Sequence, residues 1–206
     1  MSDMMRMTMI SIAERTRESG APSRKTGHSG KPRAFAKARA GEALRVATGE
    51  CSLGAIVVAA TGQGICAILL GDSAGPLMEG LKARFPKAGI APGDADFQHL
   101  AVRVIAFVES PTRTCDLTLD VRGTPFQRKV WEVLRQIPPG KTMTYAQVAA
   151  EVGRPKAVRA VAQACASNAL AVAIPCHRVV RTGGALSGYR WGVERKAKLL
   201  EREASS

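Results

Sequence analysis

The 206-residue sequence predicts an α/β module near its start, followed by a mainly α-helical domain that contains a helix-turn-helix. Two neighbouring runs of β-type residues, LGAIVVAAT (53–61) and GICAILLG (64–71), carry the first half of that prediction. Two capping boxes carry the second half: TPFQ (124–127) and TYAQ (144–147) each precede a segment with helical periodicity. The third observation is charge, which shifts from slightly acidic in the middle of the chain to strongly basic beyond residue 120.

Taken in order, residues 1–44 read as a basic tail. GAPSRKTGHSGKPRA offers almost nothing to bury and is expected to be disordered or loosely attached. The two apolar runs are then parted by Gly62-Gln63, which suits a tight hairpin turn. The same residues spell G-x-G-x-x-A, but a dinucleotide fingerprint needs a helix after its glycines, and ICAILL is strand-like. Helices are predicted at 74–85, ended by Pro86, and near 94–109, ended before Pro111, with His99 as a structural residue of the second. TCDLTLDV (114–121) alternates like a further strand. Cys51, Cys66 and Cys115 are simplest as core or strand residues of this module, which spans 45–120.

From Thr124 the period changes. Thr124, Pro125 and Gln127 supply an N-cap, a proline in the first turn and a reciprocal cap for a helix over 125–137, with Trp131 and Leu134 turned to the core. Thr144 opens a short helix that ends at Gly153, and Pro155 starts a third, PKAVRAVAQACASN. Short helix, glycine turn and second helix follow helix-turn-helix grammar. Val158, Val161, Ala162 and Cys165 form the expected buried stripe of the later helix, leaving Lys156, Arg159, Ala160 and Gln163 on a basic, small-residue face.

Composition narrows the function. Of a formal net charge of +13, residues 121–206 supply +10, with 15 Lys+Arg against 5 Asp+Glu. An excess placed in a folded segment favours a nucleic-acid partner. The five cysteines form no C-x-x-C pair, which argues against a zinc site or disulfide framework and for a reducing, cytoplasmic setting. No apolar run reaches the ~18 residues of a membrane span, and the start lacks a signal-peptide core.

The chemistry concentrates in VAIPCHRVVRTGG (172–184), where Cys176 and His177 are adjacent. A cysteine becomes nucleophilic as a thiolate, which needs a nearby base or cation. Neighbouring side chains on a regular element diverge, so the pair needs a bend, which Pro175 supplies, or a bridging water. A histidine base also wants an orienting carboxylate, and Glu194, Glu201 and Glu203 are the candidates in the last helix.

The stretch IPCHRVVRTGGALSGYRWGVERKAKLLERE, with TMTYAQVAAEVGRPKAVRAVAQACASN before it, resembles the O6-methylguanine-DNA methyltransferase family, in the branch formed by the C-terminal half of Ada-type bacterial proteins. The resemblance is dense over 121–206, looser over about 45–120 and absent over 1–44. It implies a small ribonuclease H-like sheet for the first module and a DNA-binding, catalytic domain over 121–206. It also implies irreversible transfer of the alkyl group of O6-alkylguanine, and of O4-methylthymine by the same chemistry, to Cys176. By the same likeness Cys176 is the acceptor thiolate, His177 the base acting through a water, and Glu203 the group orienting the imidazole. Asn168 holds the turn before the active-site segment, and Tyr145 donates a proton to the guanine ring. Arg159 is the finger entering the base stack, with Thr144, Lys156, Ala157 and Ala160 at the DNA surface. Ser187, Gly188, Tyr189 and Arg190 wall the base pocket.

A flipped base, one turnover per molecule, no cofactor or metal, and a monomer acting on double-stranded DNA are the corresponding expectations. Two departures stand out. Only Cys51 precedes residue 60, so the zinc-binding cysteine cluster of Ada is not expected, nor its transcriptional activation. Arg190 stands where some members have serine, which bears on the size of alkyl group accepted. Non-catalytic recognition of the alkylated base, transcriptional regulation and cysteine hydrolysis are the alternatives.

Overall fold

The computed structural model describes residues 42–111, 116–186 and 188–205. Most of the expected tail (1–41), together with Thr114, Cys115 and Ser187, lies outside the described residues.

Strands β1 (Ala43–Cys51), β2 (Gly54–Thr61) and β3 (Gly64–Gly71) form an antiparallel meander, and β4 (Gly89–Pro92) adds parallel to β1, giving the order β3-β2-β1-β4. The hairpin at Gly62-Gln63 is as predicted. Strand β1 was not, and it begins inside the expected tail. Leu44 and Val46 are fully buried, and Glu42 pairs with Arg122 of the chain leading into the helical half.

The continuous apolar character of β2 and β3 follows from cover on both faces. Val57, Ala59, Cys66, Ala67 and Leu69 pack under helix α1 (Ala74–Arg84). Ile56, Val58, Ala60, Ile65, Ile68 and Leu70 face helix α2 (Ala95–Glu109) and the helical half of the chain, in one cluster that continues to Leu199. Both helices match their expected spans. His99 is exposed on α2 rather than structural to the core.

The predicted strand at 114–121 is not one. Among its described residues only Leu119 bridges, to Ile65, with backbone bonds Ile65 N–H to Thr118 O (2.9 Å) and Asp120 N–H to Ile65 O (2.8 Å). A second such bridge, Ile68 to Leu170, attaches the segment before Cys176 to the same β3 edge, so the edge is occupied by loops and has no room for a full strand.

In the helical half, α3 (Pro125–Gln136) and α4 (Tyr145–Glu151) both open on complete capping boxes, from Thr124 with Gln127 and from Thr144 with Gln147. Gly153 turns the chain at φ +75°, where a side chain would be strained, and α5 (Val158–Ser167) follows. The helix starts three residues later than Pro155, because residues 155–157 form a turn. Val158 therefore sits at the first helical position, 36% exposed, and the buried stripe is Val161, Ala164 and Cys165. Trp131 and Leu134 are buried as predicted, and the Trp131 indole N–H donates to Ala164 O at 2.9 Å. A two-residue parallel pair, β5 (Met143–Thr144) with β6 (Val179–Val180), and helix α6 (Val193–Ala204) complete the chain. Among the described residues, no helix is long and apolar enough to cross a membrane.

Candidate active site

The segment that carries the thiol is built from strained and anchored backbone. Val172 adopts φ +65°, a left-handed conformation that costs a β-branched residue of order 1–3 kcal/mol. Asn168, wholly buried at the C-cap of α5, fixes the bend. Its Oδ1 accepts from Leu170 N–H at 2.8 Å, and its amide donates to Ile174 O at 2.9 Å and to Cys176 Sγ at 3.3 Å. Pro175 then leads into a single 3₁₀ turn, Cys176–Arg178, and β6 follows directly. Because β6 pairs with β5, the start of α4, including Thr144 and Tyr145, lies beside this turn.

His177 is fully buried and its Nε2 lies 2.8 Å from Glu203 Oε1. The open choice of carboxylate is thereby resolved, since Glu194 and Glu201 are exposed. Glu203 also accepts from Arg178 Nε at 3.0 Å and Nη2 at 2.8 Å, and from Gly140 N–H at 3.3 Å. Burial alone would raise its carboxyl, but the His177 and Arg178 hydrogen bonds outweigh it and hold the group at about 2. Burial likewise pulls His177 below its ordinary value, against the opposing pull of Glu203.

A neutral imidazole beside a carboxylate must donate from Nε2, which leaves Nδ1 as a bare acceptor. Nδ1 is buried and has no hydrogen-bond partner among the described residues; the Tyr189 hydroxyl is another such atom. The Tyr189 ring meets His177 edge-on at 6.4 Å and Trp191 at 5.1 Å.

Burial pushes the Cys176 thiol up to about 11, with the Asn168 amide and the Lys196 charge pulling the other way. The thiolate is therefore not the resting form. Lys196 is itself buried, on the inner face of α6 with Leu199 and Glu203, and its Nζ donates to Val179 O. Burial holds its pKa down.

The structure thus holds Cys176 against Asn168 and His177 against Glu203, with Tyr189 alongside His177. Tyr145 is half-buried at the first position of α4 and packs on the core. Lys156, Arg159 and Ala160 are exposed at the start of α5, and Ala157 is half-buried there. The Thr144 hydroxyl accepts from Gln147 N–H at 3.2 Å, so its lone pairs serve the helix cap while its own O–H remains a donor. Gly188 is exposed, and Arg190 donates to Ala166 O at 3.1 Å near the end of α5. Sequence reasoning missed Arg178, which also donates to Ile137 O at 2.5 Å, and Lys196. The spacing of Lys196, Leu199 and Glu203 is one helix face, and that periodicity was the available signal. Among the described residues no group of three or more His, Cys, Asp or Glu is arranged to hold a metal ion.

Residues 125–205 match the 6-O-methylguanine DNA methyltransferase DNA-binding domain family. The chain is 54% identical over 164 residues to the bifunctional transcriptional activator/DNA repair enzyme Ada of Escherichia coli, covering 80% of this chain and 46% of that protein. It thus spans about half the length of that relative. It is 37% identical over 132 residues to the inducible methylated-DNA–protein-cysteine methyltransferase of Bacillus subtilis, covering 63% of this chain and 74% of that one. The structure of a Mycobacterium tuberculosis methyltransferase, OGT, in complex with DNA superposes with a TM-score of 0.62 at 33% identity, covering 79% of this chain and 92% of that one. The chain belongs to the methylated-DNA–protein-cysteine methyltransferase family.

Proposed function

We propose that this protein repairs DNA by taking the alkyl group of O6-alkylguanine onto Cys176, once per molecule. The single observation that carries the reading is the pair of buried contacts Asn168–Cys176 and His177–Glu203 on adjacent residues, with His177 Nδ1 left as a bare acceptor among the described residues.

In this reading the lesion is flipped out of the duplex, because the alkyl carbon is unreachable inside the stack. The thiol proton passes through a water to His177 Nδ1, and Glu203 stabilises the imidazolium that forms. Sulfur attacks the alkyl carbon as the carbon–oxygen bond breaks, the electron pair leaves with O6, and Tyr145 donates a proton to the guanine ring. Ionisation occurs in step with the attack, which suits a thiol that burial pushes up to about 11 in the free protein. The product is a thioether, which has no leaving group to expel, so turnover stops.

Helices α4 and α5 act as the helix-turn-helix. Arg159 fills the space of the extruded base, while Thr144, Lys156, Ala157 and Ala160 meet the backbone and groove. Gly188, Tyr189 and Arg190, with Ser187, wall the base. Residues 45–120 form an accessory ribonuclease H-like module, a reading supported by the order β3-β2-β1-β4 with β4 parallel to β1. Residues 121–206 are the catalytic domain, acting as a cytoplasmic monomer, and O4-methylthymine is a second substrate of the same chemistry.

The test is duplex DNA bearing labelled O6-methylguanine. Transfer of one equivalent to the protein, absent in Cys176→Ala, is the expected result. Label that stays on bound DNA would establish recognition without transfer, and repeated turnover would establish a hydrolase; either overturns the proposal.

A further inference from the structure

None of the site residues comes from the sheet, yet the sheet reaches the site through one side chain. Arg195 lies in the first turn of α6. It donates from Nε to Leu53 O at 2.6 Å in the β1–β2 turn and from Nη2 to Asp72 Oδ1 at 2.5 Å just after β3. From Nη1 it reaches back to Trp191 O at 2.8 Å, at the end of the segment that carries Tyr189 and Arg190.

The slot it occupies is tight. A Cβ on Gly54 would come within 2.5 Å of Gly71 O and 3.1 Å of Arg195 Nη2. Arg195 is only 17% exposed, whereas Asp72 is 95% exposed, so the two carbonyl bonds and not the ion pair define its place. One helix turn pair further on, Arg202 donates to Ser52 Oγ at 2.6 Å, on the same face of α6 and in the same β1–β2 turn. The adjoining face of α6 carries the buried Lys196, Leu199 and Glu203.

We propose that Arg195 is a positioning residue for alkyl transfer: it fixes the 188–191 strap to the β1–β2 turn and so sets the shape of the base pocket from the sheet. The guanidinium does not touch the reacting atoms. It acts through the Trp191 carbonyl, which places Trp191 against Tyr189, which in turn stands edge-on to His177. A flipped purine needs that wall held to within a fraction of an ångström for in-line attack. The proposal rests on the alkyl-transfer reading above.

The experiment measures single-turnover transfer against concentration of duplex carrying O6-methylguanine, separating the maximal rate from the DNA dissociation constant. Arg195→Met, Arg195→Lys and Asp72→Asn are compared with the parent, each well below its own melting temperature. For Arg195→Met the maximal rate should fall by about tenfold or more, while affinity for undamaged duplex stays within about twofold. Arg195→Lys, which retains the charge but can reach at most one carbonyl, should be intermediate, and Asp72→Asn should match the parent.

Acrylamide quenching of tryptophan fluorescence should rise in Arg195→Met, because Trp191 loosens while Trp131 stays bonded inside the core. A maximal rate within twofold of the parent, or equal losses in rate and in affinity for undamaged DNA, overturns the proposal. If Arg195→Met does not fold, a parental rate in Arg195→Lys overturns it alone. Failure of the parent to transfer any label would instead sink the underlying function, and the quenching result would still report on the strap.

Discussion

Acid should unfold this protein through Glu203, and the size of the effect follows from its partners. The carboxyl is held at about 2 against an ordinary value of 4.5, since the His177 and Arg178 hydrogen bonds outweigh the cost of burial. Its folded pKa is therefore the lower one. The stabilisation is fully present above about 4.5 and is lost as pH falls towards 2. A gap of that size corresponds to about 3 kcal/mol at neutral pH, of which about 2 kcal/mol is gone by pH 3. The group is 4% exposed, so solvent screening takes little from that figure.

The assay is urea unfolding followed by fluorescence of the two buried tryptophans, Trp131 and Trp191, at pH 5 and at pH 3. In that interval the imidazoles of the unfolded chain are already charged. The parent should lose about 2 kcal/mol more across the interval than Glu203→Gln, which has no carboxyl to protonate. The variant itself should be less stable throughout, by about 3–5 kcal/mol, because Arg178 is left buried without its counter-charge. Parallel losses in the two proteins would refute the reasoning, since they would mean that Glu203 titrates alike folded and unfolded.

Two further outcomes are expected. At Val172, held at φ +65°, Val172→Gly should be more stable than Val172→Ala by about 1 kcal/mol in the same unfolding assay, reversing the usual order of alanine over glycine. The opposite order would show that the left-handed backbone carries no strain. Lys196→Met removes a buried cation that holds the Cys176 thiol down, so alkyl transfer at pH 7 should slow by about tenfold and its pH profile should move to higher pH. An unmoved profile would detach Lys196 from the sulfur.

What could be read in the sequence was whatever a short-range rule encodes. The hairpin at Gly62-Gln63, the capping boxes at Thr124 and Thr144 and the glycine turn at Gly153 are all fixed by residues within four positions of one another, and the fold contains each of them. Strand β1 escaped because its apolar positions are sparse. Leu44 and Val46 are buried by partners at 57–60 and 89–92, and nothing local announces them. The segment 114–121 failed in the opposite sense. Its alternation is real, but β3 offers it one bridge and gives the rest of its edge to Leu170. Val158 failed by register, because a turn at 155–157 delays the helix and leaves the residue at its open end.

For the site, resemblance supplied the cast and geometry supplied the relations among them. The choice of Glu203 over Glu194 and Glu201 was left open by the residues and is decided by which face of α6 is buried. Arg178 was visible in the motif and had no assigned task; its fork closes on Glu203 only because α6 returns across the 3₁₀ turn.

That turn also bears on how an adjacent cysteine and histidine could cooperate in the proposed reaction. With three residues per turn, successive side chains point about 120° apart, so the thiol and the imidazole cannot face each other. The observed bonds agree. His177 directs Nε2 to Glu203, and Cys176 takes its own contact from Asn168. Both bonds can persist while Nδ1 takes up a proton, because neither of them uses Nδ1. The third participant proposed between sulfur and Nδ1 fits that divergence. In the proposed reaction, proton movement would depend on the fixed positions of Asn168 and Glu203, which are set by α5 and α6, more than on the contiguity of the two residues that first draw attention.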